Sequence, residues 1–319
     1  MGANTDRVHC PINPRIGDGA DEVHRRSMAW IRQTGLVPTE RRQDGLAGAR
    51  FGDLASRAYP DASVDDRVLI AGWLMYVAVL DDQYDERHDL RAMRKTFRGM
   101  TDYLRTGKRM RTRPGPLSHV LESLWQETAA PMPATWRLRF GDSMEMFLDG
   151  VRAEAAFRQA DRRLSLDEYL ELRRSTSACG LLFDLIQLST HRPLADAVHY
   201  HPAVSAVRMT AIDVVAWIND LASMAKEETA GSDHNLVLVV RRTGGLSAPL
   251  ACAVAIDMVN DGIRRLWSDA AALPDFGGAL TDYVNGLKTW VRANIDWSAG
   301  SGRYTVPSPS PQVLANDEI

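Results

Sequence analysis

The strongest constraint in this sequence is a repeat distance: apolar residues return every three or four positions through nearly every long segment. In Thr135–Gln159, the residues Trp136, Phe140, Met144, Phe147 and Val151 fall on one face of a helix. The same period predicts helices over Asp21–Thr34, Val64–Arg87, Leu117–Glu127, Ser165–Leu188, Ala203–Lys226, Ser247–Leu273 and Phe276–Trp297. Ser165 is a good N-cap, and a bend is expected near Gly180. Pro114-Gly115-Pro116, Pro131-Met132-Pro133 and Thr243-Gly244-Gly245 are breaks between helices. No stretch alternates with a period of two between hairpin turns, so the expected fold class is all-α. There is no internal repeat and no shift of composition that divides the chain. The expected organisation is an N-terminal arm over residues 1–18, one helical domain over 19–298, and a C-terminal segment over 299–319. That last segment is rich in Ser, Pro and Gly and is expected to be irregular past Pro307.

Composition excludes several function classes. Net charge is −3 over 319 residues, so no global basic field is available to hold nucleic acid. The longest apolar run, Leu69 to Leu80, is shorter than the roughly 20 residues a bilayer span needs. No membrane partner is expected. The three cysteines, Cys10, Cys179 and Cys252, have no metal-ligand spacing and fit a reducing compartment. The start lacks the basic-then-apolar pattern of a secretory signal, and a cytoplasmic location is expected.

Two polar clusters stand out against this apolar background. The first ends a very apolar helix with Asp81, Asp82, Asp85 and Glu86. On a helix, Asp81 and Asp85 are i,i+4 neighbours, and like charges at that spacing repel. At a helix C-terminus they also oppose the macrodipole. A cation would relieve both costs, and an all-oxygen donor set points to Mg²⁺ or Mn²⁺. A solvated acidic helix end is the competing reading.

The second cluster is Asn219, Ser223 and Glu227 at i, i+4 and i+8. Each step advances about 6 Å along the axis and only about 40° around it, so three oxygen donors share one narrow stripe. Lys226 lies beside the stripe as a point charge for phosphate. Asp220 points away from it, toward a neighbouring helix or an arginine. A polar helix end is again the competing reading.

Taken together, these residues resemble the bacterial class I terpene synthases. Asp81-Asp82-Gln83-Tyr84-Asp85 is similar to that family's aspartate-rich motif, and Asn219 through Glu227 to its Asn-Ser-Glu metal triad, with Lys226 directly before the Glu. Arg303-Tyr304 resembles its C-terminal Arg-Tyr pair. Arg173 stands at the family's position for an arginine that senses diphosphate, with Arg174 the alternative. Pro14, Trp30, Gly35-Leu36 and Gly231 through Val237 also have the family's look, so the likeness covers nearly the whole chain. The resemblance implies a single-domain α-helical bundle around a central apolar pocket. Three Mg²⁺ ions (or Mn²⁺) would bind an isoprenyl diphosphate between the two motif helices. Asp81, Asp82 and Asp85 would hold metal on one side, and Asn219, Ser223 and Glu227 on the other. Arg173, Lys226, Arg303 and Tyr304 would contact the diphosphate catalytically, with the Arg303–Tyr304 segment as a lid. The product would be a cyclised terpene, with release of diphosphate. The family leaves room for a homodimer.

The expected pocket wall includes Tyr76, Val77, Phe147, Ser177, Trp217 and Trp290, with Trp73 and Phe183 as further candidates. Many relatives that form sesquiterpenes carry Phe at the positions of Val77 and Ala78. Small groups there suggest a roomier pocket, so the expectation leans slightly from farnesyl to geranylgeranyl diphosphate. Two alternatives remain open at this point. One is an isoprenyl diphosphate chain-elongating synthase, and the other a non-catalytic helical protein that binds an anion.

Overall fold

The computed structural model describes residues 4–85, 89–108 and 115–304. Fourteen α-helices and two short 3₁₀ turns, with no strands, make up the described residues, as the repeat distance requires. The first helices are α1 (Ala20–Gln33), α2 (Glu40–Ala49), α3 (Phe51–Ala58) and α4 (Val64–Asp85). They are followed by α5 (Leu90–Thr106), α6 (Pro116–Ala129), α7 (Ala134–Gln159), α8 (Leu166–Thr176) and α9 (Cys179–Ser189). The last are α10 (Asp196–His199), α11 (Pro202–Thr229), α12 (Leu236–Gly244), α13 (Ala248–Ala271) and α14 (Gly278–Gly300). The 3₁₀ turns are Asn4–Arg7 and Gly302–Tyr304.

The centre of the bundle is α9. It is buried from Cys179 through Leu188 and touches α4, α7, α11 and α14. Each of its enclosed Leu, Ile and Phe side chains contributes roughly 1.5–3 kcal/mol of burial free energy. Around it, α4 packs on α1, α3 and α6, α7 on α5 and α8, and α11 on α13, α14 and α12. The N-terminal arm lies across α11, α13 and α14, where His9 N–H donates to Asn260 Oδ1 at 2.8 Å.

Local chemistry sets the boundaries that matter for function. A capping box starts α8: Ser165 Oγ accepts from Glu168 N–H, and the Glu168 carboxylate accepts from Ser165 N–H. The expected bend at Gly180 is instead a full break two residues earlier. Ser177 ends α8, and Ala178 takes the left-handed conformation with φ 55° before α9 begins. Helix α14 runs to Gly300, past the expected boundary at 298. Among the described residues no single helix is long and apolar enough to cross a membrane; α12 and α13 meet that test only as a pair bent by 119°.

Candidate active site

A cavity of about 830 Å³ opens between the C-terminal ends of α4 and α11. Asp81 and Asp82 line it from α4, and Asn219, Ser223, Lys226 and Glu227 from α11. Deeper in, the wall becomes apolar with Leu74, Val77, Phe147, Leu182, Val215 and Trp290. Ser177 lines it from the break between α8 and α9. The two oxygen-rich helix ends therefore face one space. Asp85 lies in α4, but its side chain is outside the described residues.

Arg173 ties α8 to the triad helix. Its Nε donates to Asp220 Oδ1 at 2.9 Å, and a terminal nitrogen donates to Asn219 Oδ1 at 2.9 Å. Asp220 is 1% exposed and is also bonded by the Tyr169 hydroxyl and by Leu236 N–H. It thus anchors the arginine, which agrees with its expected position off the metal stripe. Burial pushes the Asp220 carboxyl upward, against the pull of Arg173. Burial alone would lower Arg173, but the carboxylate of Asp220 carries it well above its ordinary value, so it stays a cation. Arg174 points elsewhere: it pairs with both oxygens of Asp213 at 2.7 and 2.8 Å and is not in the cavity wall. Of the two arginines, Arg173 is the one placed to meet an anion there.

Behind the triad stands Asn235, which is fully buried. Its amide nitrogen donates to Glu227 Oε2 at 2.8 Å and to the Asp220 carbonyl at 2.9 Å, with Ser223 Oγ at 3.4 Å. Its Oδ1 caps α12 through Val237 N–H at 2.9 Å. Burial, then the charge of Asp220, raise the Glu227 carboxyl. A half-buried carboxylate under that stress, beside amide and hydroxyl oxygens, is a donor set that fits a hard divalent cation. Among the described residues no three His, Cys, Asp or Glu gather as a metal site, because Asn219 and Ser223 supply neutral oxygens in this stripe.

The Arg303–Tyr304 turn spans the mouth. Arg303 donates to both oxygens of Asp82 at 3.1 and 3.4 Å, and the Tyr304 hydroxyl accepts from Asn219 Nδ2 at 2.6 Å. Both motif helices are thereby linked through one short segment. Trp297 Nε1 and Ser301 Oγ hold that segment through the Ala49 carbonyl at 2.7 and 3.0 Å. Burial pushes the Tyr304 phenol up to about 12, so it remains a neutral hydroxyl.

Several expected wall residues are corrected. Tyr76 is fully buried away from the cavity, with its ring edge on Trp73 and its hydroxyl 3.8 Å from Met100 Sδ. Five positions before Asp81 is about 140° around the helix, off the face that carries Val77 and Ala78. Trp217, two positions before Asn219, points about 200° away, toward α13, where it lies against Gly262. Trp73 bonds Thr128, and Phe183 packs on Trp290 behind the wall, so both are core. Val77, Phe147, Ser177 and Trp290 are in the wall as expected.

Sequence reasoning missed Asn235, Asn294 and a rim formed by Glu154, Arg158 and His234. Glu154 accepts from Arg158 at 2.6 Å and lies 3.1 Å from His234 Nδ1. Its burial would raise it, but His234 and Arg158 together hold its carboxyl at about 2. The signal was present: Glu154 and Arg158 continue the Phe147–Val151 stripe at helical spacing, where charged residues are out of place in a core face.

The chain is similar to known proteins in sequence and in fold. Residues 72–265 match the family described as terpene synthase family 2, C-terminal metal binding. The chain is 29% identical to a (+)-T-muurolol synthase of Roseiflexus castenholzii, described as cyclising (2E,6E)-farnesyl diphosphate, over 97% of this chain and 96% of that one. It is 31% identical to a (−)-δ-cadinene synthase of Streptomyces clavuligerus over 88% and 89% of the two chains. The crystal structure of germacradien-4-ol synthase from Streptomyces citricolor superposes with a TM-score of 0.81 at 25% identity, covering 93% of this chain and 99% of that one. The family match spans more than half of the chain and includes α11 with its Asn219–Ser223–Glu227 stripe: this protein belongs to the terpene synthase family.

Proposed function

We propose that this protein ionises farnesyl diphosphate and cyclises the resulting carbocation to a terpene, releasing diphosphate. The observation that carries the reading is the joining of Asp81 and Asp82 with Asn219, Ser223 and Glu227 at the mouth of a cavity whose depth is apolar. Those five residues, with Asp85, would hold divalent metal ions, Mg²⁺ in the first instance and three by analogy with the family. Bound there, the metal supplies positive charge to the leaving diphosphate. Arg173, Lys226, Arg303 and Tyr304 would bind and orient the same anion, and their charge and hydroxyl would stabilise it as the C–O bond breaks. The apolar wall would exclude bulk water from the cation.

On chain length, Val77 and Ala78 line the cavity and leave room near its mouth. The (+)-T-muurolol synthase is described as cyclising the fifteen-carbon diphosphate. We take farnesyl diphosphate as the substrate, and the slight lean to geranylgeranyl diphosphate finds no support among the relatives. The test is diphosphate release from ten-, fifteen- and twenty-carbon substrates with Mg²⁺, in wild type, Asp81→Ala and Asn219→Ala. Turnover of the fifteen-carbon substrate that collapses in both variants is expected. Unchanged turnover in both variants would sink the reading, and release of a longer diphosphate would point to chain elongation instead.

A further inference from the structure

One helix contributes polar atoms to the cavity that the ionisation step does not use. On α14, Trp290, Asn294 and Ser298 stand at i, i+4 and i+8, and so share a face. All three are buried, at 2%, 3% and 4% exposure. Trp290 and Asn294 are in the cavity wall. Asn294 Nδ2 donates to the Val215 carbonyl at 2.9 Å, which fixes the amide's orientation. Its Oδ1 accepts nothing from the protein. Trp290 Nε1 approaches the Tyr59 hydroxyl and Ser298 Oγ the Tyr304 hydroxyl, so these two have hydroxyl neighbours within the protein, and Asn294 Oδ1 does not. Buried polar groups in native proteins are nearly always paired, with ordered water where no protein group serves. Asn294 thus brings an amide oxygen with no protein partner among the described residues into a wall that it shares with the apolar Trp290, Val215 and Leu182, where a hydrocarbon would offer it nothing.

We infer that Asn294 is a positioning residue for a water molecule inside the cavity, and that this enzyme ends its reaction by water capture, forming a terpene alcohol. The inference rests on the ionisation chemistry proposed above. Diphosphate leaves with the electron pair of the C–O bond. After cyclisation, a lone pair of the water forms a new C–O bond to the final carbocation, and the resulting oxonium loses one proton to solvent or to the released diphosphate. Asn294 Oδ1 accepts a hydrogen bond from the water and so directs its lone pair into the cavity. Without that water, the cation would instead lose a proton and give an olefin.

The experiment is incubation with farnesyl diphosphate and Mg²⁺ in H₂¹⁸O, with products resolved by mass spectrometry and diphosphate release measured in parallel. In wild type, the main product is expected to be an alcohol carrying ¹⁸O. In Asn294→Leu, the ratio of alcohol to olefin is expected to fall at least tenfold, while diphosphate release stays within a few-fold of wild type. Asn294→Ser, which keeps a small hydrogen-bonding group, should recover part of the alcohol. A wild type that makes only olefins, an alcohol without ¹⁸O, or an unchanged ratio in Asn294→Leu would each overturn the inference while diphosphate release still upheld the proposed ionisation. Absence of diphosphate release from wild type would overturn both. Should Asn294→Leu fail to fold, Asn294→Ser decides: an alcohol-to-olefin ratio below that of wild type is expected, and an unchanged ratio overturns the inference.

Discussion

Removing the Asn235 amide should weaken metal binding and the fold by different amounts, and the two can be measured separately. Asn235→Ala deletes the α12 cap to Val237 N–H, which costs about 1 kcal/mol. It also deletes the 2.8 Å bond to the half-buried Glu227 carboxylate, for which about 1.5–3 kcal/mol is typical of a charged acceptor. The total is about 2–4 kcal/mol, and at about 2–3 °C per kcal/mol for a chain of this size Tm should fall by about 5–10 °C. A capping loss alone would stop there. Because Asn235 also holds Glu227 and approaches Ser223, its loss should raise the half-saturating Mg²⁺ concentration by roughly 10–100-fold, the usual effect of removing a group that orients metal ligands. Ser165→Ala is the comparison: it removes the α8 cap, at about 1 kcal/mol, from a residue that bonds none of the triad. The assay is a Mg²⁺ titration of diphosphate release, with Mg²⁺-dependent thermal shift as an activity-independent readout. An Asn235→Ala protein that melts early but keeps the wild-type Mg²⁺ requirement would refute the reasoning.

Other parts of the fold make separate predictions. Burial, with the charges of Arg208 and Arg139, lowers the His199 imidazole from 6.5 to about 3. Below pH 6.5 the unfolded chain therefore takes up a proton that the native state refuses until about pH 3, so stability should fall as pH drops through that window. Denaturation curves between pH 7 and 4 should show a flatter limb in His199→Gln; equal slopes would remove His199 as the cause. Gly150→Ala would place a Cβ 2.7 Å from Ser175 Cβ and 2.9 Å from its backbone, so α8 must shift. The cost should be about 1–3 kcal/mol, with lower turnover because Arg173 lies on the displaced segment. Calorimetry and diphosphate release check both, and a variant unchanged in each would show that α8 yields freely.

The elements that were legible in the sequence are those whose chemistry sits at fixed spacing on one helix. The Asn219–Ser223–Glu227 stripe is such a case, because i,i+4 geometry needs no tertiary information. The wall was legible only in part. Helix α4 is apolar over most of its length, so periodicity cannot tell its cavity face from its core face. Tyr76 and Trp217 were placed in the wall for their size, while angular position relative to Asp81 and Asn219 excludes them. A bend is expected near Gly180 within one helix, yet the chain breaks into α8 and α9 at the left-handed Ala178, a residue type that carries no breaker signal. Helices α2, α3, α5, α10 and α12 escaped notice. Of these α2 and α3 are short and joined through the left-handed Arg50. Asn235 entered the sequence reading only as part of the Gly231–Val237 resemblance, and only the packing of α12 beside α11 brings its amide onto Glu227.

Two arginines at the mouth look alike in the sequence but should fail differently when removed, because burial separates them. Arg173 faces Asp220, a carboxylate 1% exposed that also accepts from Tyr169 and Leu236 N–H. Taking that guanidinium away leaves a buried charge without its cation, which typically costs about 3–5 kcal/mol. Arg303 faces Asp82, whose side chain is 53% exposed, and a pair so open to solvent typically contributes about 0–1 kcal/mol. The same contrast means that Arg173 is already fixed as a positive charge, whereas Arg303 can exchange Asp82 for a diphosphate oxygen at small cost. Arg173→Gln should therefore lose several degrees of Tm along with activity. Arg303→Gln should keep its Tm to within a degree or two yet lose turnover by roughly 10²–10³-fold, the usual effect of deleting one donor to developing negative charge. Diphosphate should raise the Tm of wild type with Mg²⁺ more than that of Arg303→Gln. Equal melting losses in the two variants, or full activity in Arg303→Gln, would mean that the mouth is organised by something other than the burial of its carboxylates.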